Sequence, residues 1–104
     1  MPQPVIVTIE HHSSRAAIKE RLNQGLAQIH EQIGPYVGMI EEHWDDDRMT
    51  FRTTAMGQPL HGHIDVDDRL VRVEVWLPGI LGIIAGSIAT RIQRDGERLL
   101  NPPS

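Results

Sequence analysis

The run from Arg48 to Leu77 constrains this chain most, because apolar and polar residues alternate along it between short turn signals. Met49, Phe51, Thr53 and Ala55 alternate with Thr50, Arg52 and Thr54. Leu60, Gly62, Ile64 and Val66 alternate with His61, His63 and Asp65. Val71, Val73, Val75 and Leu77 alternate with Arg72, Glu74 and Trp76. Successive side chains on a strand point to opposite faces, so each segment gathers its apolar residues on one side. Met56-Gly57-Gln58-Pro59 and Asp67-Asp68 read as the turns between them. Strands with a polar second face imply an antiparallel sheet covered on one side only.

Other segments extend this sheet and supply its cover. Met39 to Trp44 reads as a strand ending at the turn Asp45-Asp46-Asp47. Val5-Ile6-Val7-Thr8-Ile9-Glu10 is short, β-branched and bounded by Pro4, and also reads as a strand. Ser13 or Ser14 supplies an N-cap oxygen to a helix starting at Arg15. Ile18, Leu22, Leu26, Ile29 and Ile33 recur at helical spacing, and Gly34-Pro35 closes that helix. Pro78-Gly79 opens a last helix running to Leu100, with Leu81, Ile84, Ala85, Ile88, Ile92 and Leu99 as its inward stripe.

The element order is β-α-β-β-β-β-α. The economical packing is α+β, a five-stranded, mainly antiparallel sheet with both helices on one face. By analogy of architecture this resembles half of a TATA-binding-protein-like fold or a reduced helix-grip fold. The 104 residues make one domain's worth of chain, with an ordered core expected from about residue 4 to residue 100.

Composition narrows the function classes. With no cysteine, the chain has no disulfide, thiolate zinc site, iron–sulfur cluster or cysteine nucleophile. A net charge of −4 weighs against non-specific nucleic-acid binding, which needs Lys and Arg to replace phosphate counterions. Met1-Pro2-Gln3-Pro4 is not a secretory signal, and the uncharged stretch Val75–Thr90 is interrupted by Pro78 and glycines and too short for a membrane span. A cytoplasmic protein is expected.

Two surfaces stand out. In the apolar half of the last helix, Ile80 and Ile83 fall outside the stripe made by Leu81, Ile84 and Ile88, while Gly82 and Gly86 permit close backbone approach. Burial in the domain, a homodimer seam and contact with an apolar polymer or lipid surface all fit this pattern. The second surface is the polar sheet face carrying Arg52, Arg72, Trp76, His61 and His63. An exposed tryptophan among arginines suits a contact anchor. His61, His63 and His43 would bind zinc only if they converged, and no metal or cofactor is assigned. Asp45-Asp46-Asp47 lacks the further ligands of a calcium loop. Glu41, Glu42, Asp65 and Glu74 on an open sheet lack the burial that tunes an acid–base pair, and no nucleophile elbow or phosphate loop is present, so no catalytic residue is expected.

The ensemble of segments resembles the polyhydroxyalkanoic acid system family, also described as granule-region proteins. The resemblance rests on Val5-Ile6-Val7-Thr8-Ile9-Glu10-His11, then Ile40-Glu41-Glu42-His43-Trp44, Asp47-Arg48-Met49-Thr50-Phe51 and Gly62-His63-Ile64-Asp65-Val66. It continues through Leu77-Pro78-Gly79-Ile80-Leu81-Gly82 into Arg91-Ile92-Gln93, and so covers nearly the whole chain. It implies a non-enzymatic accessory protein of polyhydroxyalkanoate storage, granule-associated or regulatory, whose partner is the granule or its proteins. A small apolar-ligand module of helix-grip type and a plain homodimerisation domain are the alternative readings.

Overall fold

The computed structural model describes residues 3–33, 40–55 and 57–101. The chain runs β1 (Gln3–Glu10), α1 (Arg15–Ile33), β2 (Glu41–Asp45), β3 (Arg48–Ala55), β4 (Gln58–Val66) and β5 (Leu70–Leu77). A 3₁₀ turn, Gly79–Ile84, then leads into α2 (Ala85–Leu100). The strands form one sheet in the order β1-β5-β4-β3-β2, and every neighbouring pair is antiparallel. This is the expected α+β class. The comparison with helix-grip folds remains one of element order. Gly34-Pro35, Met39, Met56 and the tail from Pro102 lie outside the described residues, as do the side chains of Ile29, Ile33, Ile80 and Leu81.

The alternation in sequence becomes the two faces of the sheet. Val5, Val7 and Ile9 of β1 share the covered face with Val71, Val73, Val75 and Leu77 of β5, Ile64 and Val66 of β4 and Met49 of β3, all buried. Ile18 and Leu22 of α1 and Leu100 of α2 close over them. Each such side chain contributes about 1.5–3 kcal/mol when fully removed from water, so the shared apolar face sets which side the helices occupy.

Specific polar contacts fix the helices at their ends. Ser14 Oγ accepts the Ala17 N–H at 3.1 Å and caps α1. Asp47 in the β2–β3 turn takes Lys19 Nζ at 2.7 Å and also pairs with Arg15, whose Nε donates to Asp68 at 2.7 Å. The two aspartate turns thus hold the first turns of α1. Arg21 donates to the Leu100 carbonyl at 3.0 Å, and Asn101 Nδ2 donates to the Glu10 carbonyl at 2.7 Å. Both contacts tie the end of α2 to the start of the fold.

Two glycines mark close approaches. A Cβ on Gly62 would strike the Glu74 carbonyl oxygen and come within 2.8 Å of the Phe51 ring. A Cβ on Gly96 would run into the tip of Ile9, where α2 crosses β1.

The last helix differs from its sequence reading. Gly79–Ile84 winds as 3₁₀, and the Ala85 N–H bonds back to the Gly82 carbonyl. Two glycines and paired isoleucines are poor α-formers, and a three-residue turn rotates side chains away from a 3.6-residue stripe. Ile84, expected inward, is consequently 47% exposed. Among the described side chains, the inward stripe runs from Ala85 through Ile88, Ala89, Ile92 and Leu99 to the fully covered Leu100. β2 starts at Glu41, and Ile40, expected within it, lies before the strand.

Candidate functional site

The first surface is the Gly79–Ile84 turn. Ile83 is 92% exposed, and Gly82, Ile84 and Gly86 lie beside it in solvent. A Cβ on Gly82 or Gly86 would meet nothing within 4 Å. Both glycines are therefore open on the side where a Cβ would project. Pro78 holds the extended conformation that lets the chain leave β5 and turn under itself (φ −62°, ψ 153°). The apolar side chains are thus presented on a short, polar-poor ridge at the end of the sheet. Arg91, Arg94 and Arg98 follow on α2, and Arg91 Nε sits 3.7 Å from Asp95.

The second surface is the open face of the sheet. Register brings side chains together in rows across the strands. One row runs Glu41, Arg52, His61, Trp76; the next runs His43, Thr50, His63, Glu74, Ile6. A third runs Asp45, Arg48, Asp65, Arg72, Thr8. All five residues expected on this face share it: Arg52, Arg72, Trp76, His61 and His63.

Their surroundings give them different roles. His61 stacks on Trp76 with ring centroids 6.2 Å apart and planes at 13°, a flat aromatic platform. Arg52 is exposed beside it. Arg48 grips Asp65 with two nitrogens at 2.6 and 3.2 Å. That pairing raises the Arg48 pKa further above its ordinary value, chiefly through the hydrogen bond to Asp65. Arg72 lies 3.4 Å from Glu74. His63 is half-buried; its Nε2 lies 3.2 Å from Glu74 Oε2 and 3.5 Å from Asp65 Oδ2. Nε2 is shielded from solvent and makes no directed hydrogen bond, so these contacts are ion pairs only when the ring is protonated. Charge on this face is thus largely matched internally, which favours the platform end as the contact region.

The three histidines share the face without converging. β3 stands between His43 and His63, and strands lie about 4.8 Å apart, so the two rings are separated by two strand spacings. Among the described residues no three His, Asp or Glu side chains are placed to hold a metal ion.

Sequence reasoning missed Arg48, although it continues the Arg48, Thr50, Arg52 alternation. It also missed His11, which is buried beyond the end of β1. The His11 ring accepts the Ser13 N–H on Nδ1 at 3.2 Å, so Nε2 carries the proton and donates to the Asp67 carbonyl at 2.7 Å. No local pattern marks it, because its partner lies in the β4–β5 turn.

Shape adds one more feature. Open grooves of about 750 and 420 Å³ run where α2 passes the outer edge of β1, and neither lies in the space between Leu26, Ile84 and Phe51 that a helix-grip pocket would use. Among the described residues no helix is long and apolar enough to cross a membrane.

Fold and surfaces together define a small α+β protein whose sheet is covered on one side and open on the other. Residues 5–100 match the sequence model of the family described as "Putative polyhydroxyalkanoic acid system protein". The chain belongs to that family. No curated protein and no solved structure matches it.

Proposed function

We propose that this protein is a non-enzymatic accessory component of the polyhydroxyalkanoate system that adsorbs to the storage granule. The observation that carries this reading is the exposure of Ile83 (92%) and Ile84 (47%) on the 3₁₀ ridge. An aliphatic polyester offers an apolar surface, and exposed apolar ridges mark contact sites. One fully covered isoleucine contributes only about 1.5–3 kcal/mol, so the ridge acts with neighbouring contacts or through several copies on one surface. The His61–Trp76 platform with Arg52 and Arg72 is the second contact region, suited to a protein on the granule. No residue is given a catalytic role.

The test is co-sedimentation of purified protein with washed polyhydroxyalkanoate granules in detergent-free buffer. Wild type is expected in the pellet and Ile83→Asp in the supernatant, with unchanged far-UV circular dichroism. A wild-type protein that stays in the supernatant overturns the proposal.

A further inference from the structure

β1 is an edge strand of the sheet, with β5 on one side. The His11 N–H bonds to the Arg69 carbonyl, on the β5 side. In an antiparallel ladder the direction alternates, so Gln3, Val5, Val7 and Ile9 also address β5. The backbone groups of Pro4, Ile6, Thr8 and Glu10 therefore point outward. The Glu10 carbonyl confirms this alternation, because it is met from outside by Asn101 Nδ2. Among the described residues no strand pairs with this side of β1.

Two outward positions are irregular. Pro4 has no N–H to donate. Glu10 has a carbonyl that is already occupied. In an antiparallel pair that places Pro4 opposite Glu10 of the second copy, the missing donor faces the acceptor that needs none. The remaining Glu10 N–H meets the Pro4 carbonyl. This register sets Val7 on the two-fold axis and pairs Ile6 with Thr8 of the second copy, so their free N–H and C=O groups satisfy each other. Ile6, 49% exposed on the open sheet face, gains a cross-strand neighbour. Of the α2 residues that flank Ile6 and Val7, Ala89, Thr90 and Gln93 are uncharged, and Arg94 and Glu97 carry opposite charges. The edge itself has no charged side chain from Pro4 to Ile9, whereas edges that avoid pairing usually carry one.

We infer that two copies of this chain join through β1 in that register and continue one sheet across the dimer. The surface is separate from the Ile83 ridge and does not rest on the granule reading.

Sedimentation velocity of the full chain tests the assembly, and cysteine cross-linking tests the register. Wild type is expected to be a dimer. Thr8→Pro removes an outward N–H that the monomer does not use, and Ile6→Lys puts a charge on the edge; both are expected to be folded monomers by circular dichroism. The chain has no cysteine, so each introduced thiol reports alone. Val7→Cys is expected to form a disulfide-linked dimer under mild oxidation, because facing Cβ atoms in a non-hydrogen-bonded pair lie about 4.5–5.5 Å apart. Ile6→Cys and Thr8→Cys are expected to link less than Val7→Cys, since each would sit on the axis only in a slipped register. A monomeric wild type overturns the inference. So does a dimer that survives both Thr8→Pro and Ile6→Lys, or one lost in Ile83→Asp. Preferred linking through Ile6→Cys or Thr8→Cys overturns the register.

Discussion

Asp47, in the turn between β2 and β3, meets Lys19 of α1 at 2.7 Å. Arg15 pairs with the same carboxylate, so one aspartate fastens the first helix to one end of the sheet. The Asp47 pKa is held below its ordinary value of 3.8, first by the hydrogen bond from Lys19 and then by that from Arg15. A carboxylate with a lowered folded-state pKa adds stability that is fully present above the unfolded value. That stability is lost as pH falls through the folded one. Thermal unfolding between neutral pH and strong acid should show a loss of stability that sets in below about pH 4. Asp47→Asn should be less stable at neutral pH and lose less on acidification. An acid limb identical to wild type would refute the assignment.

Gly62 and Gly96 make contrasting predictions although both sit at tight contacts. The obstacle to a Cβ at Gly62 is backbone, the Glu74 carbonyl, with the Phe51 ring beside it. Backbone in mid-sheet cannot step aside, so Gly62→Ala should cost about 1–3 kcal/mol by denaturant unfolding. At Gly96 the obstacle is the end of the Ile9 side chain, which can change rotamer. Alanine also favours a helix by about 1 kcal/mol over glycine. Gly96→Ala should fall within about 1 kcal/mol of wild type, and equal losses at the two sites would contradict this distinction.

His11→Leu keeps much of the side-chain volume and removes two hydrogen bonds. The Ser13 N–H and the Asp67 carbonyl would lose their partner at a site where the ring is 1% exposed. The expected loss is about 1–3 kcal/mol, read as a lower denaturation midpoint with an unchanged slope. An unchanged midpoint would mean that water replaces both contacts.

Ile83→Asp separates binding from folding. The side chain is almost wholly in solvent, so its stability should lie within about 0.5 kcal/mol of wild type. A larger loss would show that Ile83 packs against the domain.

Much of this architecture was legible because strand alternation is local. The segments 48–55 and 70–77 match their strands residue for residue, and Ser14 is one of the two caps that the sequence offered. The open-face group Arg52, Arg72, Trp76, His61 and His63 followed from the same period of two. What could not be read depends on partners distant in the chain. Strand order decides that His61 meets Trp76 and that His43 stays apart from His63. The 3₁₀ winding at Gly79–Ile84 is a competition between a helical apolar period and two glycines, and the glycines prevail. Asp47 and Asp68 were legible as turn residues, but their cationic partners lie on α1.

The pairing of β1 with β5 has a consequence for how the protein is made. Gln3 faces Leu77 and Glu10 faces Leu70, so the strand translated early finds its partner only after β2, β3 and β4 have emerged. At about 5–20 residues per second, β1 waits several seconds with both edges bare. Val5-Ile6-Val7-Thr8-Ile9 is β-branched and uncharged, the type of segment that associates between nascent chains. Pro4 before it and Glu10 after it act as gatekeepers during that interval. Neighbouring nascent chains on one messenger would therefore be the setting in which this strand most readily goes astray.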